Sequence, residues 1–223
     1  MAVTHANNSF TAMKPARKIF TDPAVYALIL LNVYFIYEYK DDPGKYTTII
    51  WVFWCQSVLI GIFNFIDLLS TKNAEAKGFT MNDNPVDPKN SRGCYSFFFL
   101  FHYEAFHVGY FIFLVVQLHL KNVDFSFLKL ALLGITANMI ISFIKQKIDY
   151  KKHPPTLSNM FFLPYLRIVP MHFMILLPAF LGWQPSLVFL VLKAIFDVLG
   201  HLITTRWYWV DEEQKPLEGF NIT

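Results

Sequence analysis

The stretch Tyr46–Leu69, YTTIIWVFWCQSVLIGIFNFIDLL, runs 24 residues with a single charged side chain, Asp67. About 20 predominantly apolar residues suffice for an α-helix to cross a bilayer. A barrel strand needs only about 10 and alternates apolar with polar positions. The stretch does not alternate, so it reads as a transmembrane helix and sets the class of the whole chain as all-α.

The same pattern recurs on both sides of it. Six segments are expected to span. The first, near Pro23–Glu38, is short. The others lie near Tyr46–Leu69, Tyr95–Leu120, Phe125–Ile144, Leu163–Leu181 (with Pro170 and Pro178 inside it) and Pro185–Thr205. The expected organisation is a polar N-terminal segment 1–18, a transmembrane helix bundle 19–205 of about six spans, and a polar tail 206–223. Gly182-Trp183-Gln184-Pro185 reads as a tight turn between the last two spans. The first apolar run ends in Tyr37-Glu38-Tyr39-Lys40 with no small-residue cleavage site, so it reads as a retained span. Composition agrees. The 223 residues are 55% hydrophobic and 16% charged, against about 25% charged in soluble domains.

Charge placement gives an orientation. The N-terminal segment, the 2–3 loop, the 4–5 loop and the tail hold 13 Lys and Arg, whereas the opposite side holds four, Lys40, Lys45, Lys121 and Lys129. Positive charge collects on the cytoplasmic side, so both termini are expected there. The formal net charge of +3 is too small to point to nucleic acid; the partner the sequence implies is the lipid bilayer. Cys55 and Cys94 stand in or at the end of apolar runs, which excludes a CxxC pair and argues against a structural disulfide.

Polar groups within spans are the best sequence pointer to function, because each needs compensation in the bilayer. Helix 3 holds His102, Glu104 and His107, helix 5 holds Arg167 and His172, and helix 6 holds Lys193, Asp197 and His201. Helix 2 adds Gln56, Asn64 and Asp67, and helix 4 adds Asn138. In the inferred topology most of these fall in the cytoplasmic half. Lys193, Asp197 and His201 stand at i, i+4 intervals and share one stripe. His102 and His107 lie about 140° apart on helix 3. The arc between them, with Tyr103, Phe106, Tyr110 and Gln117, is expected to face inward. His102, His107, His172, Asp197 and His201 together offer enough donors for one transition-metal ion such as Zn, Cu or Fe. Two facing histidines would also serve haem. Glu104-x-x-His107 has the spacing of di-iron bundles, which need a second such pair that this chain lacks.

These residues carry a resemblance. Phe101-His102-Tyr103-x-x-Phe106-His107, the Arg167…His172 segment, Lys193-x-x-x-Asp197-x-x-x-His201 and Gly61-Ile62-Phe63-Asn64 are similar to motifs of an uncharacterised family of bacterial polytopic membrane proteins. The similarity covers most of the chain after helix 1. It implies a polytopic protein of the bacterial inner membrane and adds no activity. Gln56 stands where that family leads one to expect an acidic residue.

Four functions fit these features. One is a metal or haem protein, as an oxidoreductase or electron carrier. Another is a metal-dependent intramembrane hydrolase with a carboxylate as base, although HExxH and GxSxG are absent. A proton or small-ion transporter would use His/Asp/Lys relays. A structural scaffold would use the same groups as interhelical glue.

Overall fold

Helix boundaries fall where the chain places its turn formers. Asp42 closes the first apolar run; its carboxylate accepts the Gly44 N–H at 2.9 Å, with Pro43 opening the next turn. Asp124 opens another helix by accepting the Ser126 and Phe127 N–H groups at 2.9 and 3.1 Å, a helix N-cap of the usual kind. The computed structural model describes residues 23–76, 79–81, 84–118, 120–151, 154–171 and 187–207. Within them the chain forms α1 (Pro23–Asp41), α2 (Tyr46–Ser70), α3 (Arg92–Leu118), α4 (Phe125–Asp149), α5 (Leu157–Phe162), α6 (Ile168–Met171) and α7 (Leu187–Trp207). Turns of 3-10 helix occupy Pro43–Lys45, Leu120–Asn122 and Leu163–Arg167. A small antiparallel hairpin, β1 (Thr80–Met81) with β2 (Asn84–Pro85), lies between α2 and α3.

Three segments are long and apolar enough to cross a membrane, Pro43–Ser70, Arg92–Leu118 and Phe125–Asp149. At 1.5 Å per residue, even the shortest reaches about 38 Å, beyond the hydrocarbon core of about 30 Å. Their outward faces are apolar. Phe101 is 72% exposed, Leu133 71% and Ile141 64% among many other exposed apolar side chains, a continuity of apolar surface that is rare in soluble monomers.

The helix that decided the class is also the axis of the fold. α2 packs against α3 on one side and α4 on another, and it also meets α5, the Leu163–Arg167 turn and α6; α1 packs along α7. The core follows α2, through Ile49, Ile50, Val52, Phe53 and Leu68, and meets Tyr95, Phe99, Tyr103 and Leu114 of α3. One end of the bundle is tied by the segments that leave α2 and α4. Asn73 Nδ2 donates to Tyr150 O at 2.9 Å, Glu75 N to Pro155 O at 2.9 Å, and Leu157 N to Glu75 O at 2.8 Å. The loops after α2 and after α4 therefore lie together.

Several expectations change. The segment expected as a bare connection up to Leu163 contains α5, whose Leu157, Met160 and Phe161 are buried. The fifth expected span does not start as one helix: Leu163–Arg167 is 3-10 turn with Pro164 at its start, followed by the short α6. Proline lacks the N–H that an α-helix interior needs. The remainder of that span, the 182–185 turn and both termini lie outside the described residues. On α3 the buried face is Tyr95, Phe99, Tyr103, His107, Tyr110 and Leu114, while His102, Phe106 and Gln117 are exposed. The expected inner arc is thus rotated. His107 lies near the middle of the true face, and His102 lies off it.

Candidate functional site

Lys193 sits on α7, one turn before Asp197, and points between α1 and α2. Its Nζ lies 2.5 Å from Asp197 Oδ2 and donates to Asn32 Oδ1 at 3.2 Å and Gln56 Oε1 at 3.5 Å. It also stands 3.8 Å from the Phe53 ring centroid, a cation–π contact. Asn32 Nδ2 donates to Leu28 O at 2.9 Å and to Asp197 Oδ2 at 3.3 Å. Asn32, Gln56 and Lys193 are all buried. The cluster thus joins three helices with its charges cancelled inside.

A second cluster closes the far end of α2. Asp67, also buried, receives Lys147 Nζ at 2.5 Å on Oδ1 and the Tyr150 hydroxyl at 3.0 Å on Oδ2. Lys147 further donates to Thr71 Oγ1 at 2.6 Å and to Asp67 O at 3.2 Å. Buried charge is costly unless paired and hydrogen-bonded, and both clusters meet that condition.

Between the clusters lies a cleft of about 540 Å³, walled by α1, α2 and α4 with Leu163, Pro164 and His201. Its polar lining comes from Gln56, Asn64 and Asp67 on α2, from Asn138, Ser142 and Gln146 on α4, and from His201 on α7. The α4 residues recur every four positions, which stacks them on one face. Asn64 Nδ2 donates to Met160 O at 3.0 Å, leaving its carbonyl oxygen as an acceptor. Among the described residues the Asn138 and Ser142 side chains make no hydrogen bond. The cleft therefore offers amide and hydroxyl groups, while both of the acids beside it are already neutralised.

Among the described residues the expected metal donors do not form one group. His102 Nδ1 is 2.8 Å from the Tyr165 hydroxyl, and its ring stacks on Phe98. His107 is turned onto α2: its Nδ1–H donates to Tyr103 O at 3.0 Å, and its Nε2 accepts the Ser57 hydroxyl at 2.8 Å. These two rings have separate partners. Asp197 Oδ2 is engaged by Lys193 and Asn32, and His201 lines the cleft. His172 lies outside the described residues, as does the Arg167 side chain. Among the described residues no three His, Cys, Asp or Glu stand together as a metal site. Glu104 lies against α2 beside His107. Both cysteines are free.

The sequence reading named Asn64, Asp67 and Asn138 and missed Asn32, Ser142 and Gln146. The signal for the α4 stripe was the four-residue recurrence from Asn138 onward. That for Asn32 was a lone amide inside an otherwise apolar run. Trp51 and Trp54 pack with Phe111 of α3, and Trp54 Nε1 donates to His107 O at 2.9 Å.

The fold and the cleft define the class: a helical bundle of the membrane type, with a half-open, mainly apolar cleft that carries a row of polar side chains between two compensated ion pairs. The chain belongs to a family of unknown function (DUF6498), whose model matches residues 14–213. No curated protein and no solved structure matches the chain at significant similarity.

Proposed function

We propose that this protein is a six-span protein of the bacterial inner membrane that binds a small, polar, uncharged or zwitterionic solute in the cleft between α1, α2, α4 and α7. The observation that carries the reading is the lining. Asn138 and Ser142 present hydrogen-bonding groups with no protein partner among the described residues, while Asp67 and Asp197 are each matched by a lysine. Polar groups held open inside a bundle need a polar occupant, water or solute. The absence of an uncompensated charge favours a neutral one.

Six spans, with both termini cytoplasmic, fit this arrangement. α1 and α7 have 19 and 21 residues, about 28 and 32 Å at 1.5 Å per residue. Charges weaken their apolar signal, and some of these are paired: Glu38 with Lys45, and Lys193 with Asp197. The cleft runs to the ends of α2 and α4, the side to which the Lys and Arg bias assigns the cytoplasm. Solute would enter from there. His102 and His107 have separate partners, and the open amide and hydroxyl groups of the cleft favour binding or translocation of solute.

The test is thermal unfolding of detergent-purified protein against three probe sets: polyols and sugars, zwitterionic amino acids, and metal or alkali cations. A probe from the first or second set should raise the Tm of the wild type and leave Asn138→Leu and Ser142→Val unmoved. Stabilisation by cations alone, or equal stabilisation of the variants, would overturn the reading.

A further inference from the structure

Glu104 lies midway along α3, within a segment long and apolar enough to cross a membrane, on the α2–α3 seam rather than in the cleft; its side chain is 23% exposed. Its Oε1 is buried with no hydrogen-bond partner among the described residues. It presses so closely on α2 that a Cβ at Gly61 would stand 2.3 Å away. Its Oε2 is 3.7 Å from His107 Nδ1, beyond hydrogen-bond length.

The surrounding ionisable groups, Cys55 apart, have partners elsewhere. His107 uses both ring nitrogens, on Tyr103 O and Ser57 Oγ. Tyr103, on the same helix, has its hydroxyl 3.4 Å from Ser57 Oγ. On α2, Asp67 is bound by Lys147 and Tyr150, and Cys55 is a free thiol. Tyr165, on the turn packed against α2, is bonded to His102. Lys193 and Lys147 are held in the two clusters described above. No lysine among these can neutralise Glu104.

An ionised carboxylate so placed would be an uncompensated charge in a low-dielectric medium, whereas a carboxylic acid would not. We propose that Glu104 is a membrane-embedded proton-binding site, a carboxyl group that holds its proton at neutral pH and exchanges it reversibly with water. This inference stands apart from solute binding in the cleft. Occupancy of either site leaves the other's residues untouched.

The experiment uses the full chain in lipid nanodiscs. Infrared difference spectra in H₂O and D₂O should show the C=O stretch of a protonated carboxylic acid at neutral pH. That band should vanish on raising the pH, return on lowering it, and be missing from Glu104→Gln. Glu104→Gln keeps shape and neutrality, so its Tm should match the wild type. Independently of any variant, dicyclohexylcarbodiimide, which attacks protonated carboxyls in apolar surroundings, should modify wild-type Glu104, as mapped by mass spectrometry. An ionised Glu104 at neutral pH would overturn the proposal, as would a band that no pH change removes, or a wild-type Glu104 inert to the carbodiimide.

Discussion

Lys193 shows what a single residue does in this bundle. Its ammonium is buried among Phe53, Asn32, Gln56 and Asp197, so removing either member of the pair strands the other's charge. Lys193→Met or Asp197→Leu alone should each cost about 3–5 kcal/mol, the penalty for half of a buried pair. The double variant should recover much of that loss. Tm in detergent checks it; equal values for single and double variants would mean both groups are already hydrated. The pair was readable from the i, i+4 spacing. Which histidines face inward was not. Large apolar side chains occur on every side of α3, and lipid is as apolar as a protein core, so the helical wheel has little contrast to fix its phase. His107 was placed at the edge of the inner face and lies near its centre; His102 turns outward to Tyr165. Ser142 escaped notice for the opposite reason, because one hydroxyl on an apolar helix resembles ordinary interhelical glue until Asn138 and Gln146 are seen beside it.

At the scale of elements, the α2–α3 contact depends on one glycine. A Cβ at Gly61 would meet Tyr103 Cδ1 at 2.5 Å and Cε1 at 2.7 Å, and Tyr103 is wholly buried. The two helices are as close as they are because position 61 has no side chain, the use that membrane helices make of small residues. Gly61→Ala should therefore destabilise by about 1–3 kcal/mol, the usual cost of overpacking. Gly134→Ala, where a Cβ meets nothing within 4 Å, should be near neutral. Unfolding both in the same detergent gives the comparison, and equal effects would contradict the close approach. Run length predicted α2, α3 and α4 well, because twenty-odd apolar residues admit few alternatives. It missed α5 and the 3-10 turn that Pro164 opens at the start of the fifth expected span, where apolar character persists across the breaks. Composition registers the apolarity there, and backbone chemistry decides the breaks.

For the whole molecule, the internal connections place the loops after α2 and α4 at one end and the Pro43–Lys45 turn at the far end of α2. Single cysteines at Asn90 and Gly44, in a Cys55→Ser/Cys94→Ser background, should react with an impermeant thiol reagent from opposite sides of the membrane, Asn90 from the cytoplasm. Reaction of both from one side would contradict the topology. The central claim is that the polar row in the cleft is reached by water and polar solute within the membrane. The most direct test is to place cysteine at Asn138 or Ser142 in the cleft, and at Leu133 or Ile141 on the outward face of the same helix, then to treat sealed inside-out vesicles with a charged methanethiosulfonate. The account predicts rapid modification at 138 and 142, and none at 133 or at 141, which lies within one residue of 142 along the helix. Equal reactivity at all four positions, or inert cysteines at 138 and 142, would contradict it.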